Sequence, residues 1–248
     1  MAPALTITDG ALPDPLFRRV LAAVRGLGES ALRTTYQTTF WFPAGAEPAC
    51  VVEEAVRELW PCVWAGSAVH QAAEQNGRSP ATFTGAAPAG GRGAEWWLSR
   101  MRTSNVQVDF HRDRDEKLAL RTGRQVHPSR SSVLFLNRCR GGLLAVTEAL
   151  PNPENESFAP DRLELDLVKP EPNRFVVFDG ALTHGVLDAE NQVPGRRLRR
   201  EPALRLAVII NFWAKRPEGT PTFGESRAYP ALRKKPRRDR SRVIRAGQ

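Results

Sequence analysis

Two histidines and one aspartate carry the strongest chemical signal in this chain. His111 and Asp113 stand two residues apart in Val108-Asp109-Phe110-His111-Arg112-Asp113. A β-strand sends residues i and i+2 to the same face, so at a strand end this pair presents an imidazole and a carboxylate side by side. His184, far downstream in Ala181-Leu182-Thr183-His184-Gly185, adds a second imidazole. Two histidines and a carboxylate form the set that holds ferrous iron on one face of an octahedron and leaves the opposite positions open. His-x-Asp alone is a weak pattern, because Asp is common enough to fall there by chance. Position strengthens it: His111 and Asp113 close a predicted strand, and His184 follows the run Phe175-Val176-Val177-Phe178 through the turn Asp179-Gly180-Ala181-Leu182. His111, Asp113 and His184 are therefore the candidate metal ligands and catalytic residues.

A redox metal that takes an organic co-substrate needs an anchor for it. In the run from Leu204 to Trp213, alternation places Arg205, Ala207, Ile209 and Asn211 on one face and Leu206, Val208, Ile210 and Phe212 on the other. Arg205 is a charge on an apolar strand, costly to bury unless a carboxylate meets it, and its planar fork suits bidentate pairing with one. An ordinary buried Arg-Asp or Arg-Glu pair is the competing explanation.

The elements that must position these groups read as follows. Asp14-Pro15 can open a helix, with Leu16, Phe17, Val20, Leu21 and Val24 at helical spacing and Gly26 and Gly28 at its end. Tyr36 to Phe42 reads as a strand stopped by Pro43; a second helix is expected from Pro48 to Trp60 with Pro61 as its stop, and a third over Ala65 to Gln75. Asn76 to Gly93 is rich in Gly, Ala, Pro, Ser and Thr and reads as a loop, followed by Trp96-Trp97, an aromatic pair that could stack on a substrate or pack in the core. From residue 105 the character turns to short β-type runs: Val106 to Phe110, Ser132 to Asn137, Leu143 to Thr147, Leu163 to Val168, Arg174 to Phe178 and Leu204 to Trp213. Six strands without a long helix between them imply an antiparallel sandwich or barrel whose helices come from the N-terminal third, an α+β, mainly β class. Of the remaining histidines, His70 reads as a surface or packed residue, and His127, held extended by Pro128, as a structural or supporting one.

Composition narrows the setting. The 248 residues suit one domain with decoration, and 20 Pro with 19 Gly point to many turns. The organisation expected is an N-terminal support region over 1–104, a catalytic core over 105–216 and a C-terminal extension over 217–248. The net charge of +9 lies mostly in the stretch from Arg233 to Gln248, which has eight basic residues and one acid. Such a run reads first as a solvated tail and second as a contact for nucleic acid or an acidic partner. Cys50, Cys62 and Cys139 lack Cys-x-x-Cys spacing, which argues against a disulfide framework or a structural zinc site. With no apolar run of membrane-spanning length and no signal-like N-terminus, a cytoplasmic protein without a membrane partner is expected.

The stretch from about Asn105 to Trp213 resembles the catalytic core of the iron(II) and 2-oxoglutarate-dependent dioxygenases, with a prolyl-hydroxylase-like order of motifs. The resemblance rests on His111-Arg112-Asp113, the distal His184, and Arg205-Leu206-Ala207, with support from Gly141-Gly142-Leu143 and from Phe178-Asp179-Gly180 before His184. It implies a double-stranded β-helix, a jelly-roll and cupin-like variant, with supporting N-terminal helices. It also implies Fe(II), 2-oxoglutarate and O2 as cofactor and co-substrates, with ascorbate a further candidate. Two of the three open metal positions would then go to the keto acid, with Arg205 on its far carboxylate, and one to oxygen. The reaction implied is hydroxylation of a C–H bond in a small molecule or a peptide side chain, with succinate and carbon dioxide as co-products.

Two departures from the family pattern stand out. An Arg-rich stretch from Asp188 to Pro202 makes Arg196, Arg197, Arg199 and Arg200 rivals of Arg205, which is preferred because they precede Pro202 and lie outside the apolar strand. Ala207 stands where Ser is common, so a hydrogen bond to the co-substrate is expected from elsewhere, with Asn105, Gln107 and Asn137 as candidates. Trp96, Trp97, Arg114 and Trp213 are candidates to line the substrate mouth. Competing readings are a nucleic-acid dioxygenase using the basic tail, for which Arg199 and Arg205 have a suggestive spacing, and a non-catalytic jelly-roll metal-binding protein. Neither the substrate nor the oligomeric state is legible.

Overall fold

The computed structural model describes residues 5–28, 38–64, 92–102, 110–139, 141–148, 164–187 and 204–233. The elements are β1 (Leu5–Thr8), α1 (Asp14–Gly26), β2 (Phe40–Pro43), α2 (Val51–Trp64), β3 (Gly93–Arg102), α3 (Glu116–Thr122), β4 (Arg130–Phe135), β5 (Leu144–Thr147), β6 (Asp166–Val168), β7 (Arg174–Asp179), β8 (Thr183–Val186) and β9 (Leu204–Trp213), with a short 3-10 turn at Pro230–Leu232. This is a mixed α+β fold with two antiparallel sheets and flanking helices. The larger sheet has the order β1-β7-β4-β9-β3-β2 and the smaller β6-β5-β8. The larger sheet takes β1, β2 and β3 from the first 104 residues, so it runs across the boundary expected there.

The six-stranded sheet separates two cores. On one face Leu206, Val208, Ile210 and Phe212 of β9 meet Val20 and Val24 of α1 and Val52, Val56 and Leu59 of α2. On the other, Ala207 joins Val133 and Phe135 of β4, Val176 and Phe178 of β7, and Leu144 and Val146 of the smaller sheet. The odd and even residues of one strand thus feed different interiors, as a period of two requires.

Several expected boundaries move. Pro61 lies inside α2, which continues to Trp64. A helical proline forfeits one backbone bond, and α2 keeps its register because Val52, Ala55, Val56, Leu59 and Val63 remain buried along one face. Phe40–Pro43 is the described part of the strand expected from Tyr36. Trp96-Trp97 lies within β3, which begins at Gly93. The short helix α3 interrupts the strand-rich half, its N-terminus capped by the Asp115 carboxylate, which accepts from Leu118 N at 3.0 Å, and its C-terminus closed by Gly123 in the left-handed region. The third helix expected over Ala65 to Gln75, the loop from Asn76 to residue 91, the strand Val106 to residue 109, and the basic residues beyond 233 lie outside the described residues. No helix among the described residues is long and apolar enough to cross a membrane.

Candidate metal centre

His111 and His184 are brought together by the backbone before their side chains are considered. The two residues form an antiparallel bridge in which each amide donates to the other's carbonyl at 2.9 Å. His184 belongs to β8, and Gly185 after it leaves room for Phe110: a Cβ at 185 would sit 3.3 Å from the Phe110 ring. Side chains directly opposite on an antiparallel pair share one face, and the two imidazole centroids are 4.5 Å apart.

Asp113 completes the set. Its Oδ1 is 3.5 Å from His111 Nε2 and its Oδ2 is 3.4 Å from His184 Nε2. One ligand atom from each of the three residues lies within 4.8 Å of the others. The three form a 2-His-1-carboxylate metal triad. His184 Nδ1 faces the Leu182 carbonyl at 3.2 Å, and since a carbonyl only accepts, that nitrogen carries a proton and Nε2 is the atom that faces the other two residues of the triad. Burial opposes ionisation of Asp113, but the charges and hydrogen bonds of His184 and His111 outweigh it and hold the carboxyl well below the ordinary aspartate range. The Asp113 carboxylate also accepts from Ser131 Oγ at 3.1 Å and Asn211 Nδ2 at 3.0 Å, donors on β4 and β9 that fix its orientation.

Register explains this support. Ser131 and Glu95 are both cross-strand partners of Asn211, so β4, β9 and β3 bring Ser131, Asn211 and Glu95 to one place on the triad-bearing face. Glu95 is pushed up to about 7, chiefly by burial; a hydrogen bond from Thr39 opposes the rise and the nearby charge of Asp113 adds to it. Asn211 Oδ1 is buried with no hydrogen-bond partner among the described residues.

Arg205 sits further along the same face. It is only 1% exposed, its Nε donating to Gly142 O at 3.1 Å, its Nη1 to Ser99 Oγ at 3.4 Å, and its guanidinium carbon 5.0 Å from the Phe135 ring centre. Gly141 and Gly142 both adopt positive φ, which turns the Gly142 carbonyl toward Arg205. Ser99 was missed from the sequence: it is the direct cross-strand partner of Ala207, so a hydroxyl stands one strand away from the position where the family pattern favours serine.

The other expected residues separate into groups. Asn137 is engaged by the start of β9, its amide donating to Leu204 O at 2.6 Å and its carbonyl accepting from Leu206 N at 2.7 Å, so both ends of the side chain serve the backbone. Trp96 is fully buried against Phe40 and Phe223 on the helix-covered face, which corrects its placement at a mouth; adjacent strand residues point to opposite sides. Trp97 takes the triad-bearing side of β3 and is partly buried. Trp213 shares the face of Asn211 but is 4% exposed, a wall residue rather than an open platform. Arg114 is partly exposed and bonds Glu116 and Gln125. Asn105 and Gln107, the rival arginines 196, 197, 199 and 200, and His70 lie outside the described residues.

Neither a protein-family model nor a curated protein matches the chain. Among solved structures it is similar to a Pseudomonas putida prolyl-4-hydroxylase, with 19% identity, TM-score 0.46, and coverage of 86% of this chain and 89% of that one. It is similar also to HygX from Streptomyces hygroscopicus, a structure with nickel and 2-oxoglutarate bound, at 13% identity and TM-score 0.47 over 89% of this chain and 83% of that one. A prolyl hydroxylase from Trichoplax adhaerens, in complex with a hypoxia inducible factor peptide fragment, shows 16% identity and TM-score 0.46 over 86% and 84%. What the site can do follows from its own side chains.

Proposed function

We propose that this chain is an Fe(II)- and 2-oxoglutarate-dependent oxygenase on a double-stranded β-helix, hydroxylating a C–H bond of a small molecule or a peptide side chain. The observation that carries the reading is a complete 2-His-1-carboxylate set on the same sheet face as a deeply buried arginine, Arg205. The donor set fits ferrous iron: two imidazole nitrogens and one carboxylate, with three of six octahedral positions left for other molecules. Arg205 and Ser99 fit the distal carboxylate of a keto acid, a planar guanidinium fork beside a hydroxyl donor.

When bound, the metal with 2-oxoglutarate and O2 supplies the oxidising chemistry, and succinate and carbon dioxide leave as co-products. The chain's residues do the positioning. His111, Asp113 and His184 hold the metal; Ser131 and Asn211 keep the Asp113 carboxylate turned toward it. The Val133, Phe135, Val176 and Ala207 core keeps bulk water from the floor of the site. Trp97 and Arg114 are the candidates for substrate contact.

Titration of the anaerobic protein with Fe(II) and then 2-oxoglutarate tests the reading. A weak visible charge-transfer band is expected; His111→Ala should abolish it, and Arg205→Met should raise the 2-oxoglutarate concentration needed by about 100-fold, the size of a lost charge-assisted pair. A wild-type protein that binds Fe(II) but gives no band with the keto acid would reduce the chain to a metal-binding jelly roll. Metabolites and peptides that raise succinate release would then define the substrate.

A further inference from the structure

The segment between α3 and β4 touches both halves of the metal site. Val126 O accepts from Asp115 N at 2.9 Å, and His127 Nδ1 lies 2.6 Å from the Asp113 carbonyl oxygen. A carbonyl cannot donate, so Nδ1 is the protonated nitrogen of His127 and its ring holds the main chain of the ligand itself. The next residue, Pro128, lies against Gly180 in the turn that delivers His184: a Cβ at 180 would run into the Pro128 carbonyl, coming within 2.7 Å of its carbon. The same turn is stiffened by the Asp179 carboxylate, which accepts from Ala181 N at 2.9 Å and from Arg130 Nη1 at 3.3 Å. Ser129 N donates to Phe212 O at 2.7 Å, which ties the segment to the large sheet.

Residues 126 to 130 therefore connect the Asp113 backbone, the Gly180 turn and β9. We propose that His127 is a positioning residue of the metal centre, and that His127 and Pro128 together set the distance between the His111-x-Asp113 arm and the His184 arm. The proposal rests on the metal reading above. His127 is not a ligand: its bond is to the Asp113 main chain, and it acts by fixing the direction in which that carboxylate leaves the chain. Gly180 is required because only a residue without a side chain lets the second arm approach Pro128.

The test uses the full chain and Co(II) as the probe, read by its visible d–d spectrum and by equilibrium affinity. His127→Phe keeps a ring of similar size and loses the donor; Co(II) binding should weaken by about 10-fold or more, as loss of a partner behind a metal ligand typically does. His127→Asn places its amide nitrogen close to the position of Nδ1 and should return affinity to within about threefold of wild type, whereas His127→Gln, whose nitrogen reaches the Nε2 position, should not. Gly180→Ala should weaken Co(II) binding by about 10-fold and alter the d–d band with His127 intact. Wild-type affinity in His127→Phe, or equal loss in the Asn and Gln variants, would overturn the role of His127. Should His127→Phe fail to fold, the Asn and Gln pair decides alone. If the wild-type protein takes no Co(II), the metal reading itself fails, an outcome separate from the others.

Discussion

The two faces of β9 are built from alternating residues of one strand yet obey different rules. Leu206, Val208, Ile210 and Phe212 face α1 and α2, and every one is at most 4% exposed. Arg205, Asn211 and Trp213 face the other way, as buried as their neighbours but polar, and one buried polar atom there, Asn211 Oδ1, has no hydrogen-bond partner among the described residues. Burying a polar group without a partner costs about 1–3 kcal/mol in proteins, a cost that Asn211 Oδ1 carries on the second face. Burial alone does not identify a core; what the buried atoms ask for does.

Three experiments would break or sharpen that contrast. Phe212→Ala, which removes a 1% exposed ring set edge-on to Trp60 at 5.0 Å, should cost about 3–5 kcal/mol in chemical denaturation while leaving Co(II) affinity of the folded protein unchanged. A matching loss of metal affinity would show that the faces are not separable. Next in size is Glu95 on the polar face, whose carboxyl is pushed up to about 7 from 4.5, mainly by burial. A carboxyl raised by folding stabilises fully below its unfolded value and loses that contribution as pH climbs toward its folded one. The Glu95 contribution to the stability of the metal-free protein should thus fall between roughly pH 4.5 and 7 by at most about 3–4 kcal/mol, and Glu95→Gln should flatten that slope. An unchanged slope in the variant would remove Glu95 from the account. The smallest effect is expected at Ser99: Ser99→Ala should weaken 2-oxoglutarate binding by about 5- to 10-fold, and adding Ala207→Ser should recover most of it by moving the hydroxyl across to the neighbouring strand. Failure of the double variant to recover would mean that Ser99 serves only to seat Arg205.

How much of this was legible in the sequence depends on whether the signal is local. β9 was readable to its ends because ten residues alternate without interruption. His111, Asp113 and His184 were readable because the first two follow the β-type sequence Val106 to Phe110 and the third follows Phe175 to Phe178 through a short turn, although His184 itself lies inside β8. β3 was not: in Glu-Trp-Trp-Leu-Ser-Arg-Met-Arg both faces carry large and polar residues, and the run follows a Gly- and Ala-rich stretch that reads as loop. β1 and β8, four residues each, are too short to show a period. Asn137 illustrates a different limit, since a polar side chain at a strand end serves a cofactor or a backbone equally well in sequence, and here it braces Leu204 and Leu206. Ser99 and Ser131 gain their meaning from cross-strand register alone, which no window of sequence contains.

The reciprocal bridge between His111 and His184 joins residues far apart along the chain. Its two backbone bonds close a long loop, and an ion held by both imidazoles closes the same loop a second time. Metal occupancy and the cohesion of the β8 edge would then be one linked equilibrium: a bound ion would act as a reversible staple, and the melting temperature should rise with free metal concentration.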